Sequence, residues 1–136
     1  MFPIGGAVRD EAQLRYIERL LERVSDVFSR EMEAVVPLPG DLRAVDVLLR
    51  GPGCVIAVEV ITRLVDVQAQ IRVAKLKARD IAATRLLIAI AGTHGNRRAL
   101  DAARPALIGA WDVDARRVLS ALGAGRSPDR DAIILI

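Results

Sequence analysis

Two apolar runs, Leu42–Arg50 and Cys54–Thr62, stand on either side of Gly51-Pro52-Gly53. Runs rich in Val, Ile and Leu that meet at a Gly/Pro cluster spell a β-hairpin. Successive side chains of a strand point to opposite faces, so the pairing sorts these residues by face. With the turn centred on Gly51-Pro52, Leu48 pairs with Val55, Asp46 with Ala57 and Ala44 with Glu59. One face then carries Ala44, Asp46, Leu48, Val55, Ala57, Glu59 and Ile61, and the other carries Val45, Val47, Leu49, Ile56, Val58 and Val60. Both faces are apolar and both need cover. That requirement points to an α/β chain, a mixed sheet flanked by helices on its two faces.

The rest of the chain supplies the covering elements. Arg9–Arg30 repeats apolar residues at Leu14, Ile17, Leu21, Val24 and Phe28, a helical spacing. Glu31–Leu38 reads as a short strand ending at the turn cluster Pro37–Asp41. Leu64–Ala83 returns to helical period, with Val67, Ile71, Ala74, Ala78 and Ile81 on one side. Arg85–Ala91 is a continuous apolar run, as expected of a strand buried on both faces. Asn96–Arg104 is helical until Pro105 disturbs it. Ala110–Val113 forms a short strand with Trp111 as a packing anchor, and Asp114 caps a helix over Ala115–Leu122. The apolar run Ala132–Ile136 needs burial, as a strand or against a partner. Residues 1–8 read as a leader and 9–136 as one domain, in keeping with a length of 136 residues.

Composition removes several function classes. One cysteine, Cys54, excludes an internal disulfide framework and a cysteine-based zinc site. One histidine, His94, leaves little for a histidine metal centre, and it sits in a Gly-rich loop with no visible partner. No apolar run approaches the ~20 residues that span a bilayer, and the first residues lack the basic start of a secretory signal. The expectation is a cytoplasmic protein with no membrane partner. Twenty basic side chains against seventeen acidic ones give a net charge of +3. Only Lys75 and Lys77 are lysines; the arginines suit phosphate and carboxylate alike. Aromatic residues at 3% leave no stacking platform for single-stranded nucleic acid.

Asp46 and Glu59 are the ionisable residues in the middle of the hairpin strands. As diagonal neighbours their Cβ atoms lie roughly 7–8 Å apart, close enough for both carboxylates to hold one divalent cation. Two buried carboxylates need a positive group nearby. That group is either a metal ion or an arginine, with Arg63 or Arg72 as the partner in a structural ion pair. On the following helix Gln68, Arg72, Lys75 and Arg79 are spaced by four, three and four residues and form one stripe. The stripe is either a solvated face or the wall of a phosphate-binding groove.

The αβββαβ order, with Asp46 on the second strand and Glu59 on the third, resembles the PD-(D/E)XK, or restriction-endonuclease-like, nuclease superfamily. Val58-Glu59-Val60-Ile61-Thr62 followed by Asp66-Val67-Gln68 is similar, more narrowly, to a module of actinobacterial Cro/C1-type helix-turn-helix regulators, where it lies C-terminal to the helix-turn-helix domain. Gly40–Asp46, Lys77–Asp80, Gly92–Arg98 and Ala132–Ile136 belong to the same resemblance, which runs from Arg9 to Ile136.

This resemblance implies that Asp46, Glu59 and the carbonyl of Val60 bind Mg²⁺ and that Gln68 is a candidate beside them. A lysine two residues after the glutamate helps activate the attacking water in active members. Here that position holds Ile61, which can neither donate a hydrogen bond nor stabilise an anion. Val45 stands where the motif has its proline. Lys75 lies two turns along the helix, about 10 Å by helical rise. The expected function is a nucleic-acid-associated domain, with DNA the expected partner, that keeps the nuclease scaffold without a complete catalytic set. Arg72, Lys75 and Arg79 are its expected nucleic-acid contacts. Two alternatives stand beside it. One is an active Mg²⁺-dependent nuclease with a displaced cation. The other is an interaction module, or a homodimer joined through Ile133–Ile136, with no nucleic-acid contact.

Overall fold

The structure is a computed structural model and describes residues 11–136; the leader assigned to residues 1–8 lies outside the described residues. The elements run α1 (Glu11–Leu21), β1 (Ser29–Val35), β2 (Ala44–Gly51), β3 (Cys54–Ile61), α2 (Val67–Asp80), β4 (Arg85–Ile90), α3 (His94–Leu107), α4 (Ala115–Gly123) and β5 (Ala132–Leu135). The five strands form one mixed sheet in the order β1-β2-β3-β4-β5. β1, β2 and β3 are antiparallel neighbours, whereas β3, β4 and β5 are parallel.

The two apolar faces of the hairpin lie in two separate cores. Val47, Leu49, Ile56, Val58 and Val60 pack with Ile17, Leu20 and Val24 of the N-terminal segment and Val118 and Leu122 of α4. Leu48 and Ala57 pack instead with Ala74 and Ala78 of α2 and with Leu100 of α3. The result is an α/β/α sandwich. β4, buried along Leu86–Ile90, contributes to both layers. β5 buries Ala132, Ile133 and Ile134, so the C-terminal apolar run is covered within the chain as an edge strand.

The register of the hairpin differs by two residues from the sequence expectation. Leu48 pairs with Ala57, Val47 with Val58 and Gly51 with Cys54. The corner is Pro52-Gly53, with Gly53 at φ 70°, the residue order of a type II turn. A shift of two keeps the alternation of Val47, Leu48, Leu49, Ile56, Ala57 and Val58 between the two cores, but beyond the last pair, Val47 with Val58, Val45 packs in the core of Leu48 and Ala57 and not in that of Val47.

Two helix ends and one expected strand also differ. α1 stops at Leu21, and the chain turns through Ser25 so that Phe28 is buried just before β1 begins. α3 continues through Pro105 to Leu107. Ala110–Val113 forms a single bridge, Asp112 to Ala132, in place of a strand. The cap of α4 follows expectation: the Asp114 side chain accepts the Arg117 amide. Trp111 is buried in the α2/α3 core.

Candidate functional site

The antiparallel ladder between β2 and β3 ends at Val47 and Val58. Beyond it, side chains replace the backbone pairing. The Val60 amide donates to Asp46 Oδ2 at 2.8 Å, and the Asp46 amide points to Glu59 Oε2 at 3.4 Å. The ladder to β1 is interrupted at the same level. Met32 pairs with Val47 and Ala34 with Val45, while Glu33, opposite Asp46, has a φ of 49°. A left-handed non-glycine residue costs of order 1–3 kcal/mol, and such residues cluster at functional sites.

This opening lies at the C-terminal end of parallel β3, where open α/β sheets place their ligands. It forms one wall of a cleft of about 820 Å³ whose lining includes Gln13, Asp46, Glu59, Val73 and Lys77. Val35 and Leu42, both more than half exposed, line its mouth. Arg43 stands there too, bonded to Asp41 at 2.7 Å and to Asp80 at 2.6 Å, so that it ties the entry of β2 to the end of α2.

Glu59 is 7% exposed. Lys77 of α2 donates to its Oε1 at 2.8 Å. Burial, and then the charge and hydrogen bond of Asp46, push the Glu59 carboxyl up from its ordinary 4.5 to about 7; Lys77 opposes the rise without cancelling it. On the other side Gln13 of α1 points its Nε2 to Val60 O at 3.1 Å and to both carboxylate oxygens of Asp46 at 3.4 Å. The acidic pair is thus met by nitrogens from both helical layers.

Of the residues expected at the site, Asp46, Glu59 and Val60 come together. Gln68 does not join them: it is exposed on α2, and Gln70 faces inward instead, holding the loop before the helix through the amides of Val65 and Asp66 and the carbonyl of Arg63. Arg72, Lys75 and Arg79 are exposed as one stripe. Lys75 and Arg79 border a shallow depression of about 210 Å³ beside Thr84 and Arg85, at the opposite end of the parallel strands from the cleft. The countercharge expected from Arg63 or Arg72 comes from Lys77. His94 is exposed at the start of α3.

Lys77 and Gln13 are the residues that sequence reasoning missed, and helical phase carried the signal for both. Lys77 follows Gln70 and Ala74 at four and three residues, on the inward side of α2. The small side chains of Ala74 and Ala78 let that side approach the sheet, and a lysine stem can lie along apolar surface there. Gln13 begins the stripe Gln13, Ile17, Leu20, Val24, whose last three members are buried.

The chemistry of the donor set can be set against a magnesium ion. Mg²⁺ takes oxygen ligands at about 2.0–2.1 Å in octahedral geometry. Asp46, Glu59 and the Val60 carbonyl are suitable donors by type. In this arrangement, however, Asp46 and Val60 face the Gln13 amide, and Glu59 Oε1 faces Lys77. The site as arranged does not fit a magnesium ion while Gln13 holds this position. Among the described residues no three His, Cys, Asp or Glu side chains gather where they could hold a metal. No helix among them is long and apolar enough to cross a membrane. No family model, curated protein or solved structure matches the chain.

Proposed function

We propose that the chain is a cytoplasmic, nucleic-acid-associated domain of the PD-(D/E)XK type, built to bind rather than to cleave and of the kind attached to transcriptional regulators. The observation that carries this reading is the Lys77–Glu59 contact at 2.8 Å. It joins an acidic pair at the mouth of β2 and β3 to a cation from the next helix, so the charge that would gather a metal is met inside the chain. Ile61 adds no donor beside it. The exposed cations of α2, Arg72 and Lys75, offer a surface for phosphates.

The test is binding of duplex DNA, followed by fluorescence anisotropy at low and moderate salt. Affinity should fall steeply with salt because counterions are released. Arg72→Glu with Lys75→Glu should weaken binding to all sequences about equally. Absence of binding by the wild type to duplex and single-stranded probes at low salt overturns the reading.

The same contact also favours a second reading, an active Mg²⁺-dependent nuclease in which Lys77 is the displaced cation. Under it, wild type nicks plasmid DNA with Mg²⁺, and both Lys77→Met and Glu59→Ala abolish nicking. Under the first reading all three are silent while the wild type still binds.

A further inference from the structure

Arg85 opens β4, and main-chain carbonyls fix its half-buried guanidinium. Nε donates to Pro128 O at 3.0 Å, Nη1 to Thr84 O at 2.8 Å and Nη2 to Asp129 O at 2.9 Å. Carbonyls satisfy hydrogens but cancel no charge, and no acidic side chain pairs with Arg85 among the described residues. These bonds leave one hydrogen on each terminal nitrogen without an acceptor among the same residues. The depression of about 210 Å³ that Arg85 borders is also lined by Lys75 and Arg79. Arg79 is bonded to Asp80 at 2.8 Å, whereas Lys75 is exposed and has no ion pair among the described residues. Asp131 is the one acid of the lining among the described residues, and its Oδ1 accepts the Leu86 amide at 2.8 Å.

We propose that this depression is a binding site for a phosphate group, held by Arg85 and Lys75. The carbonyls keep the guanidinium in place before any ligand arrives, so binding costs little side-chain order there. A guanidinium suits phosphate oxygens by its planar fork, and the ammonium of Lys75 adds a point charge. Small-molecule sites span about 300–1,000 Å³. The depression is smaller than that, so it admits the phosphate and leaves its carrier outside. That carrier is a nucleic-acid backbone or a small phosphorylated molecule. The site lies at the opposite end of the parallel strands from the acidic cleft, away from the charges of Asp46 and Glu59. It shares Lys75 with the proposed nucleic-acid surface but requires neither DNA binding nor any role of the acidic pair.

Inorganic phosphate is the first probe, exchanged for chloride at constant ionic strength and followed by NMR of the arginine Nε–H groups. The proteins are wild type, Arg85→Gln, Lys75→Ala, Asp131→Asn and, as a control, Arg116→Ala, an exposed arginine of α4 in the other helical layer. Circular dichroism identifies any variant that fails to fold; Lys75→Ala, at an exposed helical position, keeps the test open if Arg85→Gln does. Phosphate should move the Arg85 Nε–H signal of the wild type. Arg85→Gln and Lys75→Ala should each weaken phosphate binding about tenfold or more, the scale of a lost hydrogen bond to a charged group. Asp131→Asn, which keeps the oxygen that accepts the Leu86 amide, should tighten it, and Arg116→Ala should leave it unchanged. Duplex DNA at low salt is the second probe and separates the two carriers. A backbone phosphate predicts that the duplex displaces inorganic phosphate and that Lys75→Ala lowers the slope of log affinity against log salt by about one. A small phosphorylated ligand predicts phosphate binding that the duplex does not displace; either result sustains the site. An Arg85 signal that phosphate leaves unmoved, or equal loss of phosphate affinity in Arg116→Ala and Lys75→Ala, overturns the inference, and DNA binding by such a protein leaves the proposed function standing. Phosphate binding at Arg85 in a protein that binds no nucleic acid does the reverse.

Discussion

Lys77 reaches Glu59 from α2 at 2.8 Å, with the lysine side chain 21% exposed and the glutamate side chain 9% exposed. The pair sits between the helical layer and the sheet, and it gives α2 a polar attachment at the site to add to its apolar one through Ala74 and Ala78.

The raised Glu59 carboxyl links stability to pH. Its folded-state value, about 7, lies above the ordinary 4.5, so the unfolded chain releases the proton first. The contribution of Glu59 is therefore full below about pH 4.5 and is lost as pH rises to about 7. Glu59→Gln removes the titration. The stability difference between the variant and wild type should shift in the variant's favour by about 1–3 kcal/mol across that window. Urea denaturation of both proteins at a series of pH values measures it, and a difference that stays flat refutes the linkage.

Removing the countercharge should act in the same direction. In Lys77→Met the Glu59 carboxylate loses its cation, so its titration moves further up, read by carboxyl carbon NMR. Breaking a partly buried pair by deleting one member should cost about 2–4 kcal/mol at pH above the Glu59 titration. The cost should shrink in acid, where Glu59 takes up its proton. Equal loss at both pH extremes would show that packing, not charge, is what Lys77 contributes.

The two glycines of the hairpin should respond differently to alanine. A Cβ on Gly51 would lie 2.7 Å from the ring of Phe28, which is buried and cannot retreat. Gly51→Ala should therefore destabilise by about 1–3 kcal/mol through overpacking. Gly53 has open space around it but a φ of 70°, so Gly53→Ala should cost about 1–2 kcal/mol through backbone strain alone. Phe28→Leu should recover part of the Gly51→Ala loss and none of the Gly53→Ala loss, as a double-mutant cycle by thermal denaturation will reveal.

Asn96 is 4% exposed. It accepts the Leu64 amide at 2.9 Å and donates to the carbonyls of Thr62 and Ala91, each at 2.9 Å. It ties the loop leading into α2 to the end of β4. Asn96→Ala leaves these backbone groups without their partner and should cost about 2–4 kcal/mol. Hydrogen exchange at Leu64 should accelerate more than exchange in the centre of β3; uniform acceleration would mean that the loop has no local role.

The hairpin was legible because its two strands contain little but Val, Ile, Leu and Ala, so Asp46 and Glu59 stood out as carboxylates in apolar strands; Glu59 is buried and Asp46 half-buried. Both line one cleft despite the error in register, although Asp46 is met by Gln13 from α1 and Glu59 by Lys77 from α2. The turn itself was misplaced because Gly51-Pro52-Gly53 offers two overlapping corners, and the tight packing of Phe28 against Gly51 comes from a residue distant in sequence. The partners of the acidic pair were harder to find. Gln13 and Lys77 belong to helices, where one residue of phase error turns a side chain by about 100°. The stripe through Leu14 and Leu21 hid the one through Gln13 and Leu20. The outward stripe of Arg72, Lys75 and Arg79 likewise drew attention from the inward Lys77. The charge pattern of α2 was plain; the side it faces depended on the sheet.

Strand order in the sheet repeats chain order, and this sets a sequence of events as well as a shape. The contacts of Asp46 with Glu59 and with the Val60 amide close 13 and 14 residues of chain, the Lys77 contact 18, and the Gln13 contacts 33 and 47. Shorter loops close at lower entropic cost, and local pairings are reached sooner. The hairpin therefore brings its carboxylates together before either nitrogen docks, and the folding chain must carry their repulsion, or a proton, through that interval. Acid should hasten the first stage of folding by supplying the proton, and the arrival of α1 should be the late event that seals the end of the ladder.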